Sequence, residues 1–354
     1  MPRLWSELQN LTQRIMNEPR NPKELRQASE RSAPEAERLT AHRGLATWGE
    51  RLVPIEKFHA ITRTTGRQLD SQERSRARTG FLNRPADATP VEGPYKSIAV
   101  FGGIYSNHYA LESLLEDAMQ RGAEAVYCLG DLGGFGPSPE KVWPLLEQGQ
   151  IRAIQGNYEE SLSSGHEDCN CGYTDPRDNH FVEISYNYTA RNCSPEFKSW
   201  MGSLPTRRRV RVGDRELLLV HGSPRRINEF LFASASPVPF LEVMLDQQAC
   251  DGVLCTHSGL QWHRKLPSGR DLVNVGVIGR PANDGHKNVW YSLITASETD
   301  VAVQLLPLSY DDQRLAAEMR REELPDEFVE TIQTGWWTTC LEILPARERD
   351  ASRY

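Results

Sequence analysis

The chain has no apolar run approaching the ~18 consecutive residues that a membrane-spanning helix needs, so no membrane partner is expected. Its opening stretch, MPRLWSELQNLTQR, lacks the apolar core of a secretory signal. An even cysteine set is missing too. Cys128, Cys169, Cys171, Cys193, Cys250, Cys255 and Cys340 are seven, several of them inside strand-like apolar runs. Reduced thiols and cytoplasmic residence are therefore expected, not a disulfide framework. Positive charge is scarce where nucleic-acid binding would need it. The formal net charge is −7; residues 1–94 hold 16 Lys and Arg against 12 Asp and Glu, a net of +4, which leaves −11 on residues 95–354. An acidic body argues against nucleic acid as the main ligand.

What is present divides into three parts. Residues 1–94 form an N-terminal extension. Leu4, Leu8, Leu11 and Ile15 recur at helical spacing, Pro19, Pro22 and Pro34 act as breakers, and Arg74, Arg76 and Arg78 mark a polar arm. This helical, partly flexible extension is the candidate surface for a homo-oligomer or a protein partner. Residues 95–310 form the body. Ser97–Phe101, Glu124–Leu129 and Ile151–Gln155 read as strands, separated by helices over Tyr109–Met119 and Ser138–Glu147. Strands then dominate, at 208–212, 216–220, 252–256, 271–275, 289–294 and 301–305, with helices near 183–188, 194–201 and 238–246. An α/β half followed by a strand-rich half suggests two sheets packed face to face with helices outside. Residues 311–354 form a helical tail, with Leu315, Met319, Leu324, Phe328 and Ile332 apolar and the Trp336–Trp337 pair packing back on the body.

Four strand ends share one design. The run Val126–Leu129 delivers Gly130–Asp131 into the glycines Gly133, Gly134 and Gly136. Ile151–Gly156 leads into Asn157, Leu217–Val220 into His221, and Val253–Cys255 into Thr256 and His257. Ligands of layered α/β sheets bind beyond the carboxyl ends of strands, and Asp, Asn and His all bind metals.

At these residues the chain from about Ser97 to Leu306 resembles the calcineurin-like metallophosphoesterases, particularly their small bacterial phosphodiesterase branch. That family carries D-x-H, G-D, G-N-H-[DE], a lone H and G-H-x-H at successive strand ends. Gly130–Asp131 matches the second element, Gly156-Asn157-Tyr158-Glu159 the third, and His221 the fourth, while Cys255-Thr256-His257 lies where H-x-H belongs. The flanks SNHYALESLL and Asn274–Pro281 also resemble family segments. The resemblance implies an α/β fold with a two-sheet β-sandwich flanked by helices, and hydrolysis of phosphate mono- and diesters at a pair of metal ions bridged by Asp131.

The departures bear on function. Gly103 and Tyr105 stand where D-x-H belongs, Tyr158 replaces a His that contacts phosphate in relatives, and Cys255 replaces a ligating His. One metal position keeps Asp131 and His257. The other keeps Asp131, Asn157 and His221, with Cys255 in a fourth place. The expected ligands are thus Asp131, Asn157, His221, His257 and Cys255 around one or two divalent ions of Zn, Fe or Mn. Tyr105 is either a phenolate ligand or a packed phenol. His257 and Tyr158 are the catalytic candidates, and Asn157, Arg225 and Arg280 the candidates to bind phosphate. The loop Gly165–His180 reads as a separate zinc site of His166, Cys169, Cys171 and Cys193, as a substrate cover, or as a loop that merely packs.

The leading functional reading is a metal-dependent phosphoesterase with an altered site, acting on a small phosphorylated substrate. The alternatives are a non-catalytic phosphoesterase-fold protein that binds a phosphorylated ligand or a protein partner, and oxidative metal chemistry using Tyr105, Cys255 and the cysteine loop.

Overall fold

Side chains on a strand alternate between its two faces, and that alternation assembles the body. In the computed structural model, which describes residues 45–48, 51–54, 89–298 and 300–350, the residues from 83 onward form one unit and those up to 82 another. In the earlier unit, β1 (Leu45–Trp48) and β2 (Arg51–Pro54) form an antiparallel hairpin, Leu45 opposite Pro54. The helix expected over Leu4–Ile15, and with it the proposed association surface, lies outside the described residues.

The body holds two sheets. In chain order its strands are β3 (Val91–Tyr95), β4 (Ser97–Phe101), β5 (Ala125–Cys128), β6 (Arg152–Ala153), β7 (Arg207–Val212), β8 (Arg215–Val220), β9 (Gly252–Cys255), β10 (Trp262–Lys265), β11 (Asp271–Asn274), β12 (Val289–Ala296) and β13 (Val301–Leu308). Six of them run in the order β10-β11-β9-β8-β7-β3, and five in the order β13-β12-β4-β5-β6. The division expected after residue 94 falls within β3, which pairs in parallel with β7.

Between the sheets lie Ile98, Val100, Tyr127, Leu129, Leu217, Leu219, Leu254 and Val273, one parity of each strand. The other parity faces outward. Ala99, Phe101 and Cys128 meet Leu111 and Leu114 of helix α1 (His108–Gln120) and Leu146 of α2 (Val142–Gln148). On the opposite side Leu218, Val220, Val253 and Cys255 meet Leu241, Met244 and Leu245 of α6 (Val238–Asp246). The helices between are α3 (Asn157–Ser164), α4 (Pro176–Asn192) and α5 (Pro195–Ser203). The result is the helix-flanked two-sheet sandwich expected from the sequence.

The tail is helical at α7 (Asp312–Arg321), α8 (Asp326–Thr334) and α9 (Ala346–Arg349). Leu315, Met319, Leu324, Phe328 and Ile332 pack against Tyr105, Phe135 and Phe181. The tryptophan pair divides. Trp337 is buried beside Phe232, Leu260 and Leu344, whereas Trp336 is 37% exposed.

A buried carboxylate fastens α7 to the body. Glu318 accepts hydrogen bonds from Tyr109 Oη (2.9 Å), Ser138 Oγ (2.6 Å) and Lys141 Nζ (2.5 Å). Burial opposes its ionisation, but these donors outweigh burial and lower its pKa to about 2. Its pKa is below the unfolded value, so the stabilisation is present above about 4.5 and is lost as pH falls toward 2. Glu318→Gln is therefore expected to destabilise the protein by about 1–3 kcal/mol at pH 7. In thermal melts the gap to wild type should close as pH falls through that window; equal melting temperatures at pH 7 would contradict it.

Candidate metal centre

The carboxyl ends of two parallel strand pairs, one from each sheet, meet at a single point. β5 and β6 deliver Asp131 and Asn157, and β8 and β9 deliver His221 and His257. The sheets are tied together there by His221, whose Nδ1 lies 2.6 Å from the carbonyl oxygen of Leu129. All four side chains are buried, Asp131 at 4% and His257 at 7% exposure being the most open.

The hydrogen bonds fix which atoms face inward. His221 donates from Nδ1 to Leu129, so its Nε2 presents a lone pair, 3.0 Å from Asn157 Oδ1 and 3.0 Å from His257 Nδ1. His257 Nε2 donates to the carbonyl oxygen of Cys171 (3.2 Å), leaving its Nδ1 as the second lone pair. The Asn157 amide nitrogen donates to Cys169 O (2.8 Å) and Cys171 Sγ (3.2 Å), which turns Oδ1 inward. Asp131 Oδ2 lies 3.4 Å from His221 Nε2. Ligand atoms of Asp131, His221 and His257 all lie within 4.8 Å of one another. A carboxylate, an amide oxygen and two imidazole lone pairs converge with their donors spent outward. This donor set fits a divalent cation, and each imidazole is oriented by a backbone carbonyl as metal-bound histidines commonly are.

The charges agree. Burial opposes ionised Asp131, yet His221 beside it holds its carboxyl below the usual range. Burial also opposes charge on His221, but the Asp131 carboxylate outweighs it and raises the pKa. His257 is lowered to about 3 by burial and by the adjacent His221.

Two residues hold the loops in place. Glu159 receives backbone N–H bonds from Asp131 (2.8 Å), Leu132 (2.8 Å) and Gly156 (2.7 Å), locking the two loops that carry Asp131 and Asn157. Burial and the charge of Asp131 push its pKa up to about 7. Asn274 donates to Thr256 O (2.6 Å) and Ser258 Oγ (2.8 Å), bracing the turn at His257, whose φ is 34°. Gly156 is required by proximity, since a Cβ there would sit 2.5 Å from Asp131 Oδ1 and 2.9 Å from His221 Cε1. The sequence pattern includes Glu159 and Asn274, but their roles depend on contacts between distant segments.

Several expected site residues lie elsewhere. Cys255 is fully buried against α6, because it shares the outward parity of Val253; burial pushes its thiol up to about 12. It is not brought to the metal group. Arg225 turns away toward Glu229 (3.4 Å) and the ring of Phe240. Tyr105 lines the pocket beside Asp131, but burial and the Asp131 charge raise its pKa, so it stays a neutral phenol. The zinc site read into the cysteine loop does not form. Cys169 and Cys171 are joined as a disulfide, contrary to the expectation of reduced thiols, while Cys193 is a free thiol in the body's core and His166 is exposed. The loop instead covers the site, with Cys171 on the pocket wall. Tyr158 also lines the pocket, its hydroxyl 3.0 Å from Ser185 Oγ, and burial raises its pKa.

Two outcomes follow. Below its raised pKa His221 carries a second proton, on Nε2, which a cation has to displace. Affinity should therefore fall as pH drops through the raised His221 pKa, beginning above 6.5 and approaching about tenfold per pH unit. Titration calorimetry with Zn²⁺ or Mn²⁺ at pH 8 and pH 6 checks this, and a pH-independent affinity would contradict it. Glu159→Gln turns one of the two accepting oxygens into a donor, which leaves at least one of the three buried amides facing it unpaired, and should cost about 1–3 kcal/mol together with metal affinity; a variant with unchanged melting temperature and affinity would sink that role.

Residues 97–297 match the family model described as the calcineurin-like phosphoesterase superfamily domain. An uncharacterized protein of Methanocaldococcus jannaschii is 23% identical over 258 residues, covering 67% of this chain and 98% of its own. A solved hypothetical protein of Pyrococcus horikoshii OT3 superposes with a TM-score of 0.57 at 21% identity, covering 68% of this chain and 99% of that one. A metallophosphoesterase of Sphaerobacter thermophilus does so at a TM-score of 0.52 and 21% identity, with coverage of 68% and 99%. These two structures share its fold.

Proposed function

The chain belongs to the calcineurin-like phosphoesterase superfamily, and from that premise we propose that it is a phosphoesterase using one divalent ion of Zn, Fe or Mn. Asp131, Asn157, His221 and His257 would hold the ion, and the substrate is a small phosphorylated molecule. The observation that carries this reading is the convergence of two imidazole lone pairs, an amide oxygen and a carboxylate on one buried point.

The count of one rests on Gly103 and Tyr105. A Cβ on Gly103 would lie 2.7 Å from Tyr105 Cζ and 2.7 Å from Val277 Cγ1, so the tyrosine ring and Val277 fill the space where the family's opening Asp would project. Bound at the Asp131 group, a divalent ion supplies Lewis acidity toward phosphoryl oxygens and lowers the pKa of water toward about 7. The chain's own side chains do the remainder. Asp131 sets the negative charge of the site, and Tyr158 and Arg280 face the pocket as neutral and cationic donors to phosphate oxygens. With both nitrogens engaged, one toward the metal group and one on Cys171, His257 acts as a ligand and not as a free base. The five free cysteines fit a reducing compartment and cytoplasmic residence, the Cys169–Cys171 pair being the exception.

Metal-stripped protein reloaded with Mn²⁺, Fe²⁺ or Zn²⁺ is expected to hydrolyse p-nitrophenyl phosphate or its bis-ester. Asp131→Asn should lower kcat by about 10²-fold or more, the scale of losing a group that organises transition-state charge. Protein that shows no turnover with any of the three ions would overturn the hydrolase reading and favour a non-catalytic phosphate binder.

A further inference from the structure

Arg280 is a cation buried without an acid. It is 6% exposed, and no carboxylate among the described residues forms an ion pair with it. Its Nε has no hydrogen-bond partner, and among the described residues Tyr173 on the same wall is the one side chain that hydrogen-bonds the guanidinium. A buried guanidinium left in that state is costly unless an anion completes it. Its surroundings hold it by its faces. The Trp337 ring centroid lies 3.5 Å from its Cζ, and the rings of Tyr105 and Phe135 lie 5.8 Å away. Stacking of this kind fixes the plane of a guanidinium and leaves its edge donors for a planar or tetrahedral oxyanion.

The tail builds this seat. Trp337 is anchored by its own indole, which donates to Pro281 O (2.6 Å), and by its backbone N–H on Asn283 Oδ1 (2.9 Å). Thr339, Cys340 and Phe328, also from the tail, form part of the wall of the cavity that holds Arg280, Asp131, Tyr158 and His257. That cavity measures about 60 Å³, and Arg280 is the one Lys or Arg on its wall. One compact anion is matched by one cation. A polymer strand would require a basic track that the wall does not offer.

We infer that Arg280, seated on Trp337, forms a receptor for the terminal phosphoryl group of a small phosphomonoester, making the C-terminal tail a working part of the site. Trp337 is a positioning residue that acts through Arg280. The inference rests on the phosphoesterase reading for the identity of the anion, but anion binding to Arg280 does not itself require a metal.

The test is calorimetric titration of inorganic phosphate, methyl phosphate and dimethyl phosphate into the full chain after treatment with EDTA. Phosphate and methyl phosphate should bind the wild type, and dimethyl phosphate about tenfold more weakly or worse. Arg280→Met should lose about tenfold or more, the scale of a forfeited charge-assisted contact, with Arg280→Lys intermediate. Trp337→Ala should weaken phosphate by a similar factor and Trp337→Phe by much less, which separates the stacking role from general packing. Circular dichroism melts show whether each variant is folded; should Trp337→Ala unfold, Trp337→Phe and Arg280→Lys carry the comparison. Folded Arg280→Met that binds phosphate as wild type does, wild type that binds none without metal, or equal affinity for methyl and dimethyl phosphate would each overturn the receptor. Phosphate binding that survives alongside a complete lack of metal-dependent turnover would remove the hydrolase and leave the receptor standing.

Discussion

The Asp131 carboxylate is buried at the point where the two sheets end, and the organisation of the site follows from keeping it charged there. A carboxylate removed from water must find donors or positive charge close by. Here those are His221 and the backbone N–H of Tyr158, 3.4 Å from Oδ1. His221 can serve only because Leu129 takes its other nitrogen, and Leu129, buried between the sheets, directly follows the strand that delivers Asp131. One interaction therefore links ionisation, tautomer and the pairing of the two sheets. A second carboxylate, Glu159, lies close enough to repel Asp131, and it is kept by three backbone donors that also shape the Asp131 loop.

The pocket above this group is shared between the body and its C-terminal addition. Tyr105 occupies the side where a second ion's ligands would stand, and it packs in turn against the helices of the tail. On the proposed single-ion reading, an aromatic wall and a stacked guanidinium stand on the side where the resemblance places further ligands, and a phosphoryl group would meet positive charge from both directions.

Much of this was legible in the residue pattern, and the reasons for the gaps are physical. The runs ending at Asp131, Asn157, His221 and His257 announced themselves because buried parallel strands are apolar and end abruptly in glycine or polar residues. The order of elements, an α/β half followed by a strand-rich half, likewise gave the two-sheet sandwich. Strand alternation explains the failure at Cys255: its place beside His257 suggested a ligand, but its parity sends it under α6. Arg225 was misjudged because a strand-end position does not reveal that Glu229 and Phe240 lie nearby to hold it. The cysteine loop gave no sign of pairing Cys169 with Cys171, nor of setting the amide of Asn157 through its backbone. The seat of Arg280 on Trp337 joins residues 57 positions apart in the chain, and no local periodicity encodes such a contact.

The central claim is that one divalent ion occupies the point where Asp131, Asn157, His221 and His257 converge. Anomalous diffraction from crystals of the protein loaded with Mn²⁺ or Zn²⁺ tests it most directly. The account predicts one strong peak per chain within coordination distance of Asp131 Oδ, Asn157 Oδ1, His221 Nε2 and His257 Nδ1. A second peak of similar height on the Gly103–Tyr105 side, or a peak at the cysteines with none at Asp131, would contradict it.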